Sequence, residues 1–324
     1  MDVFSVNQQV LSRSFIEPPY SFPENIVWID LLQPTPEEIH AVEKFLNIDL
    51  PTSEEMGQIE VSNRLFQEGK SVYMTTSTLM KAYSHEPEIR PISFVIVGNT
   101  LVTIRYVEST PFKDFMSHTS RLSPNQYHAV YIFIALVGAL TNRLADILER
   151  IGHDVDMINR KMFRHSTLEH KQKIDFQEIL WEIGRSGDLI SKVRETLVSI
   201  NRMAVYFSQV AATIGGTFDD NTLLQTEIHD LQSLLDHASF LTSKLNFILD
   251  ATLGKINIEQ NVIIKIFSLA AVIFLPPTLV ASTYGMNFKL IPELDFKFGY
   301  PMALGFMVLS AVITYQFFKR KGWL

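Results

Sequence analysis

Two uncharged apolar stretches close the chain, and they constrain it more than anything that precedes them. Ile266 to Thr283 and Phe298 to Phe318 contain no Asp, Glu, Lys or Arg. As helices rising about 1.5 Å per residue, the first spans most of a bilayer's hydrocarbon core of ~30 Å and the second spans all of it. A bilayer interior offers no water to backbone amides, so segments that cross it must satisfy their own hydrogen bonds. Two helical crossings are therefore predicted. Between them lie Tyr284-Gly285-Met286-Asn287 and about ten polar-leaning residues, and after the second comes Lys319-Arg320-Lys321. Lys255 and Lys265 precede the first crossing, whereas the loop's Lys289 and Lys297 are offset by Glu293 and Asp295. Basic residues favour the cytoplasmic side, which places both termini inside and the short loop outside.

The rest of the chain is ordinary mixed sequence. Its 324 residues have room for two or three domains, and the net charge of −7 makes nucleic acid a poor partner. There is no cysteine, which excludes disulfides and thiolate-bound metals. Met1 to Asn25 lacks a basic region followed by an apolar core, so the N-terminal part is expected in the cytosol. No Gly-x-x-x-x-Gly-Lys-Ser/Thr sequence supports ATP-driven transport. His165/His170 and His229/His237 lack the spacing of a helical zinc site. With no nucleophile–base constellation either, an enzyme is not expected, and no organic cofactor is implied.

The predicted fold class is α+β: a cytoplasmic α/β domain, then a long helical stalk continuing into the first of two C-terminal transmembrane helices. Strands are predicted over Ile26–Leu31, Val72–Leu79, Ile92–Val97 and Thr100–Val107, with Gly98-Asn99 as a hairpin turn. Thr35 caps a helix that runs to about Leu46, and Pro51-Thr52-Ser53-Glu54-Glu55 starts another. Ile132, Leu136, Leu140, Leu144, Ile147, Ile151, Val155 and Ile158 recur at helical spacing. A second long helix is predicted from Thr167 to about Gly215. Asp219-Asp220-Asn221 offers a cap to a third, whose stripe is Leu224, Ile228, Leu231, Leu235, Phe240, Leu245 and Ile248. Between Asn221 and Pro276 the only Gly or Pro is Gly254, so this last helix should run unbroken into the membrane. The domains are then 1–120 (α/β), 121–260 (helical stalk), 261–284 (first crossing), 285–297 (external loop), 298–318 (second crossing) and 319–324 (basic tail).

One stripe of the first crossing is unlike lipid. Asn261, Ile264, Ser268, Ala271, Leu275, Thr278, Ser282 and Gly285 follow one another at three or four residues, and most are small or polar. Such a stripe suits either packing through small residues or a water-lined path. Two crossings are too few to enclose a path, so a pore requires several copies. The stripe also ends at Gly285-Met286-Asn287, where a ring of Asn carboxamides makes a neutral, oxygen-rich mouth. Mg2+ dehydrates reluctantly, and amide oxygens accept hydrogen bonds from its water without stripping it. Ile264, Leu275 and Phe267 would form apolar rings able to gate by dewetting, or a coiled-coil core. Pro276-Pro277 is read either as a hinge or as a static kink. Glu293 and Asp295 are either a weak cation funnel or a solvated loop.

Tyr284-Gly285-Met286-Asn287 followed by Pro292-Glu293-Leu294 resembles the CorA family of divalent cation channels. The stretches Ile256–Asn261, Phe274–Ser282 and Phe298-Gly299-Tyr300-Pro301 are similar to its bacterial members. Ile291 stands where that family often has Met. The resemblance implies a funnel-shaped homopentamer in the bacterial inner membrane. It also implies passive Mg2+ passage, Gly285, Met286 and Asn287 as the selectivity filter, and Asn261 and Thr278 facing the pore. It further implies that cytosolic carboxylates between subunits bind regulatory Mg2+ and hold the channel closed; Glu227 and Asp230 are candidates. Two other readings stay open. One keeps the architecture and changes the ion to cobalt, nickel or zinc; the other is a membrane-anchored coiled-coil scaffold without transport.

Overall fold

The computed structural model describes residues 1–7, 10–58, 60–84, 86–163, 175–286 and 296–322. It divides into two compact units, Met1–Leu249 and Asp250–Leu324. The class is α+β, with an N-terminal sheet domain, long helices and a C-terminal helix.

The first unit is built on a seven-stranded sheet: β1 (Asp2–Asn7), β2 (Val10–Phe15), β3 (Ile26–Leu32), β4 (Leu65–Glu68), β5 (Ser71–Met80), β6 (Glu88–Val97) and β7 (Thr100–Arg105). Their order is β2-β1-β3-β7-β6-β5-β4. Only β3 and β7 pair in parallel; the other neighbours are antiparallel. Val97 pairs with Thr100, so Gly98-Asn99 makes the predicted hairpin, and Gly98 supplies the positive φ of 58° that the turn needs. Sequence patterning did not reveal β1, β2 or β4. β2 and β4 are largely exposed and lack an apolar face to signal them.

The central strands bury both faces, and their residues divide by the two-residue period. Val3, Ile29, Leu31, Val95, Val102 and Ile104 form one core. It is closed by Val42 of α1 (Pro36–Leu46), Leu50, and Met56 of α2 (Ser53–Met56). Thr35 and Glu38 form a reciprocal capping box at the start of α1, as the Thr-Pro-Glu-Glu sequence predicts, and Thr52 and Glu55 repeat it at α2. A single turn, α3 (Val61–Arg64), leads into β4.

The alternate strand residues meet α4 (Thr110–His118), α5 (Ala129–Phe163) and α6 (Phe176–Val210). Phe133 of α5 lies edge-on to Phe94 with centroids 5.4 Å apart, and Phe207 of α6 lies 4.3 Å from Phe133. All eight residues of the predicted α5 stripe are buried. This decides an ambiguity, because α5 is itself long and apolar enough to cross a membrane. Its apolar face is spent on the sheet and on neighbouring helices. The second long helix begins at Phe176, capped by Asp175; Thr167 and the residues to Ile174 lie outside the described residues.

α7 runs from Phe218 to Tyr284 as one element, as the lack of internal breakers predicted. Its cap differs from the expected Asp219-Asp220-Asn221. Thr217 is the capping residue: its Oγ1 accepts from the Asp220 amide at 3.1 Å, and the Asp220 carboxylate accepts from the Thr217 amide at 2.9 Å. Phe240 also departs from its predicted place. It is 59% exposed, while Ala238 and Leu241 occupy the buried stripe between Leu231 and Leu245. The 3.6-residue period carries position 240 off that face. α8 (Gly299–Arg320) completes the chain.

One polar network sits inside this apolar frame. Asp30 and Arg105 are bonded at 2.7 Å with side chains 0% and 3% exposed. Thr103 donates to Asp30 at 2.7 Å and accepts from the Trp28 indole at 3.0 Å. The Arg105 guanidinium lies over the Phe112 ring, which ties β3 and β7 to α4. Removing one partner of a buried ion pair leaves an uncompensated charge, so Arg105→Met should cost about 3–5 kcal/mol. An Asp30→Leu/Arg105→Met pair should cost less than Arg105→Met alone. Denaturant unfolding followed by the buried Trp28 checks both.

Candidate ion-conduction site

The second unit contains, among the described residues, only the later turns of α7 and the whole of α8. The most apolar window of α7 has no buried residue, and that of α8 has almost none. Among the described residues, nothing buries their apolar surface as that of α5 is buried. A long helix that is apolar all round and bare is one whose solvent is lipid.

What burial there is follows a pattern. Along α7 the partly buried residues between Asn261 and Tyr284 are Leu269, Ile273, Pro276, Pro277, Val280 and Tyr284. Along α8 the partly or fully buried ones fall on Gly299, Ala303, Met307, Ser310, Ala311, Thr314 and Phe318. Each set recurs every three or four residues, which defines one helix face. Complementary shading of two helices, in a unit with no third described element, marks a seam between them.

Asn261, Ile264, Phe267, Ser268, Ala271, Leu275, Thr278 and Ser282 are all exposed. At 3.6 residues per turn their mean direction lies roughly 180° from that of the seam. α8 therefore does not use the small and polar stripe for packing. The reading in which these residues serve helix packing survives only if the partner is another chain. Within the stripe, the Thr278 hydroxyl donates to the Phe274 carbonyl at 2.8 Å. That bond places the hydroxyl's proton and leaves its lone pairs available. Pro276 and Pro277 lie half-buried on the seam side. They remove two amide donors from α7 where α8 shields it, away from the stripe.

α7 ends at Tyr284, and Gly285 follows with its amide on the Ala281 carbonyl at 2.9 Å. Gly285 is not left-handed. Its requirement is space: a Cβ there would sit 3.1 Å from the Ala281 oxygen. Met286 is exposed beside it. Asn287, Glu293 and Asp295, three of the predicted site residues, lie outside the described residues.

The two regulatory candidates are placed differently. Glu227 folds inward over α5, where a Cβ on Gly138 would come within 2.8 Å of its Oε1. Burial, helped by the charge of Asp230 one turn on, pushes the Glu227 carboxyl above its ordinary value. Asp230 is exposed. No group of three or more His, Asp or Glu side chains capable of holding a metal occurs among the described residues. Asp220, which the sequence offers only within the Asp219-Asp220-Asn221 cap, is bonded on both sides. Burial works to raise its pKa, but hydrogen bonds from Thr217 and from His128, 3.0 Å away, outweigh it and hold the carboxyl low. This knot ties the first turn of α7 to the residue preceding α5. Its signal was legible as Thr217-x-x-Asp220, the spacing of a capping box.

Residues 23–320 match the family model described as CorA-like Mg2+ transporter protein. The chain belongs to the CorA-like Mg2+ transporter family. It is 33% identical over 298 residues to a protein of Mannheimia succiniciproducens named magnesium transport protein CorA, covering 92% of each chain. An Escherichia coli K12 protein of the same name is 35% identical over 300 residues, covering 93% of this chain and 92% of its own. The fold matches the complete structure of the CorA magnesium transporter from Methanocaldococcus jannaschii with a TM-score of 0.80, at 19% identity over 100% of this chain and 98% of that one. The CorA-like family match runs through both apolar helices and the stripe between Asn261 and Ser282.

Because this CorA-like chain has no cysteine, single substitutions give clean reporters. In a bilayer, Thr278→Cys and Ser282→Cys should react with a charged, water-borne thiol reagent at least about tenfold faster than Ile273→Cys and Val280→Cys. The contrast follows from the need of small polar residues within a span for protein or water. Glu227 gives a second test. A carboxyl whose folded pKa is raised contributes stability that is present below the unfolded value and lost as pH rises through the folded one. Glu227→Gln should therefore raise the thermal midpoint near pH 8 and leave it nearly unchanged near pH 4.

Proposed function

We propose that this CorA-like chain assembles as a homopentamer and lets hydrated Mg2+ pass passively into the cell across the bacterial inner membrane, with both termini cytoplasmic. The observation that carries the reading is the uncovered stripe of α7. A chain with two crossings packs them together on one face and leaves small and polar side chains opposite, at membrane depth. Several copies turned toward a common axis give that stripe water and give the ion a path. Family membership, and relatives named for magnesium transport, supply the ion.

In this reading the residues from Asn261 to Ser282 line the path, and Ile264, Phe267 and Leu275 narrow it with apolar rings. Gly285, Met286 and Asn287 form the filter at its outer end. Gly285 allows the tight departure from α7 that its 3.1 Å clearance requires. Asn287 offers neutral oxygens to the water of the hydrated ion. Glu293 and Asp295 draw cations toward the mouth. The driving force is the membrane potential, worth about 2.3 kcal/mol per charge per 100 mV and about twice that for a divalent ion. The domain limits are those of the sequence reading, with residues 121–260 as the stalk that senses the interior.

Intracellular Mg2+ closes the path by binding carboxylates of the stalk. A single chain offers no ready-made cluster among its described residues, so such a site is shared between copies or completed by water. Closure then follows from ligand affinity for one packing over another, and is reciprocal. The stripe carries no His and the chain no Cys, which does not favour first-shell binding of cobalt, nickel or zinc.

Magnesium flux into liposomes tests the proposal. Wild-type flux should fall as internal Mg2+ is raised. Asn287→Ala should lower flux about tenfold, the effect of losing a charge-assisted hydrogen bond of ~1.5 kcal/mol. Unchanged flux and selectivity in Asn287→Ala would remove Asn287 from the filter, and absent flux in the wild type would favour a scaffold.

A further inference from the structure

A cleft of about 480 Å³ opens in the first unit between α5, α6 and the loop after β5. It is lined by both aromatic rings and cations, and the conduction reading uses none of them. Trp181, on α6, is 62% exposed, which is unusual for the largest apolar side chain. Arg185, one turn on, has its guanidinium 5.7 Å from the Trp181 ring centroid. Across the cleft the Arg150 guanidinium lies 4.4 Å from the centroid of Tyr83, and Arg143 lies 4.8 Å from the same ring. Two guanidiniums thus crowd one phenol.

The charge balance is uneven. Lys161 is committed to Glu182 at 2.6 Å and to Glu178, and His153 approaches Asp154. Arg150 and Arg185 form none of the ion pairs found among the described residues. In a chain of net charge −7, a concavity lined by Arg150, Lys161 and Arg185 against only Asp154 and Glu182 is a local exception. Guanidinium stacked on an aromatic ring keeps its edge donors free, in a fork that fits phosphate. An exposed indole offers a planar face on which a base can stack. The cleft volume falls within the range of small-ligand sites.

We propose that this cleft binds a nucleoside polyphosphate, with the base against Trp181 and the phosphates between Arg150 and Arg185. Neither half of the chemistry alone accounts for the lining: a bare anion has no use for Trp181, and an apolar ligand has none for the arginines. The proposal is independent of ion conduction, because no residue of the stripe takes part.

The test uses the full-length protein in lipid nanodiscs, in Mg2+-free buffer, titrated with ATP, adenosine and inorganic tripolyphosphate by calorimetry. ATP should bind saturably, and each of the other two at least about tenfold more weakly. Trp181→Leu should weaken ATP about tenfold and leave tripolyphosphate unchanged. Arg150→Gln/Arg185→Gln should weaken both phosphates by about tenfold or more. A wild-type thermal midpoint in each variant establishes that it is folded. Arg150→Lys/Arg185→Lys, which keeps the charge and loses the fork, should show an intermediate loss. Absence of saturable ATP binding, tripolyphosphate binding as tight as ATP, or ATP binding unaltered in both the Trp181 and the arginine variants would overturn the proposal.

Discussion

Lipid offers no hydrogen bonds and no hydrophobic reward for hiding small side chains, and this shapes everything in the C-terminal unit. The partly buried residues of α7, among them Leu269, Ile273 and Val280, and those of α8 each fall on one face of their helix, which marks a seam. The opposite face of α7 carries Asn261, Ser268, Thr278 and Ser282. Had α8 packed on that stripe, its small residues would be explained within one chain. They are left bare instead, and at membrane depth bare polar groups must find protein or water. The proposal of several copies around a common axis rests on that bare stripe.

The N-terminal unit solves a different problem. Its sheet is covered on both faces, so its apolar residues are internal, and the buried ion pair of Asp30 with Arg105 is fully bonded. The contrast between α5 and α7 is instructive because both have the length and composition of a membrane span. They differ in what covers them. α7 belongs to both units, and its first turn is pinned by Thr217, Asp220 and His128. Any rearrangement of that first turn involves the same helix whose later turns bear the stripe.

Much of this was legible in the sequence, for reasons that can be named. The long helices were legible because their apolar residues recur at three and four, and because Gly and Pro are missing where they would interrupt. The α1 and α2 starts were legible because capping boxes are local chemistry. β2 and β4 were not, since exposed edge strands have no buried face to impose a period. The cap of α7 is ambiguous in sequence because Asp219, Asp220 and Asn221 are all capping residue types, whereas the capping residue is Thr217, whose partner is three positions on. Phe240 was assigned to the buried stripe on its apolar character, although its position fell between two faces. The stripe itself was visible in the sequence. Its relation to the seam was not, because that depends on which face α8 covers.

The most direct test of the central claim is an inter-chain distance. A spin label at Ser282→Cys in bilayers, read by pulsed dipolar spectroscopy, should report short, ring-like distances between copies. A label at Phe306→Cys, on α8 and off the seam, should report longer ones. Ser282 labels that show no inter-chain coupling, or distances as long as those from Phe306, would mean that the stripe does not face a shared axis, and the account would fail.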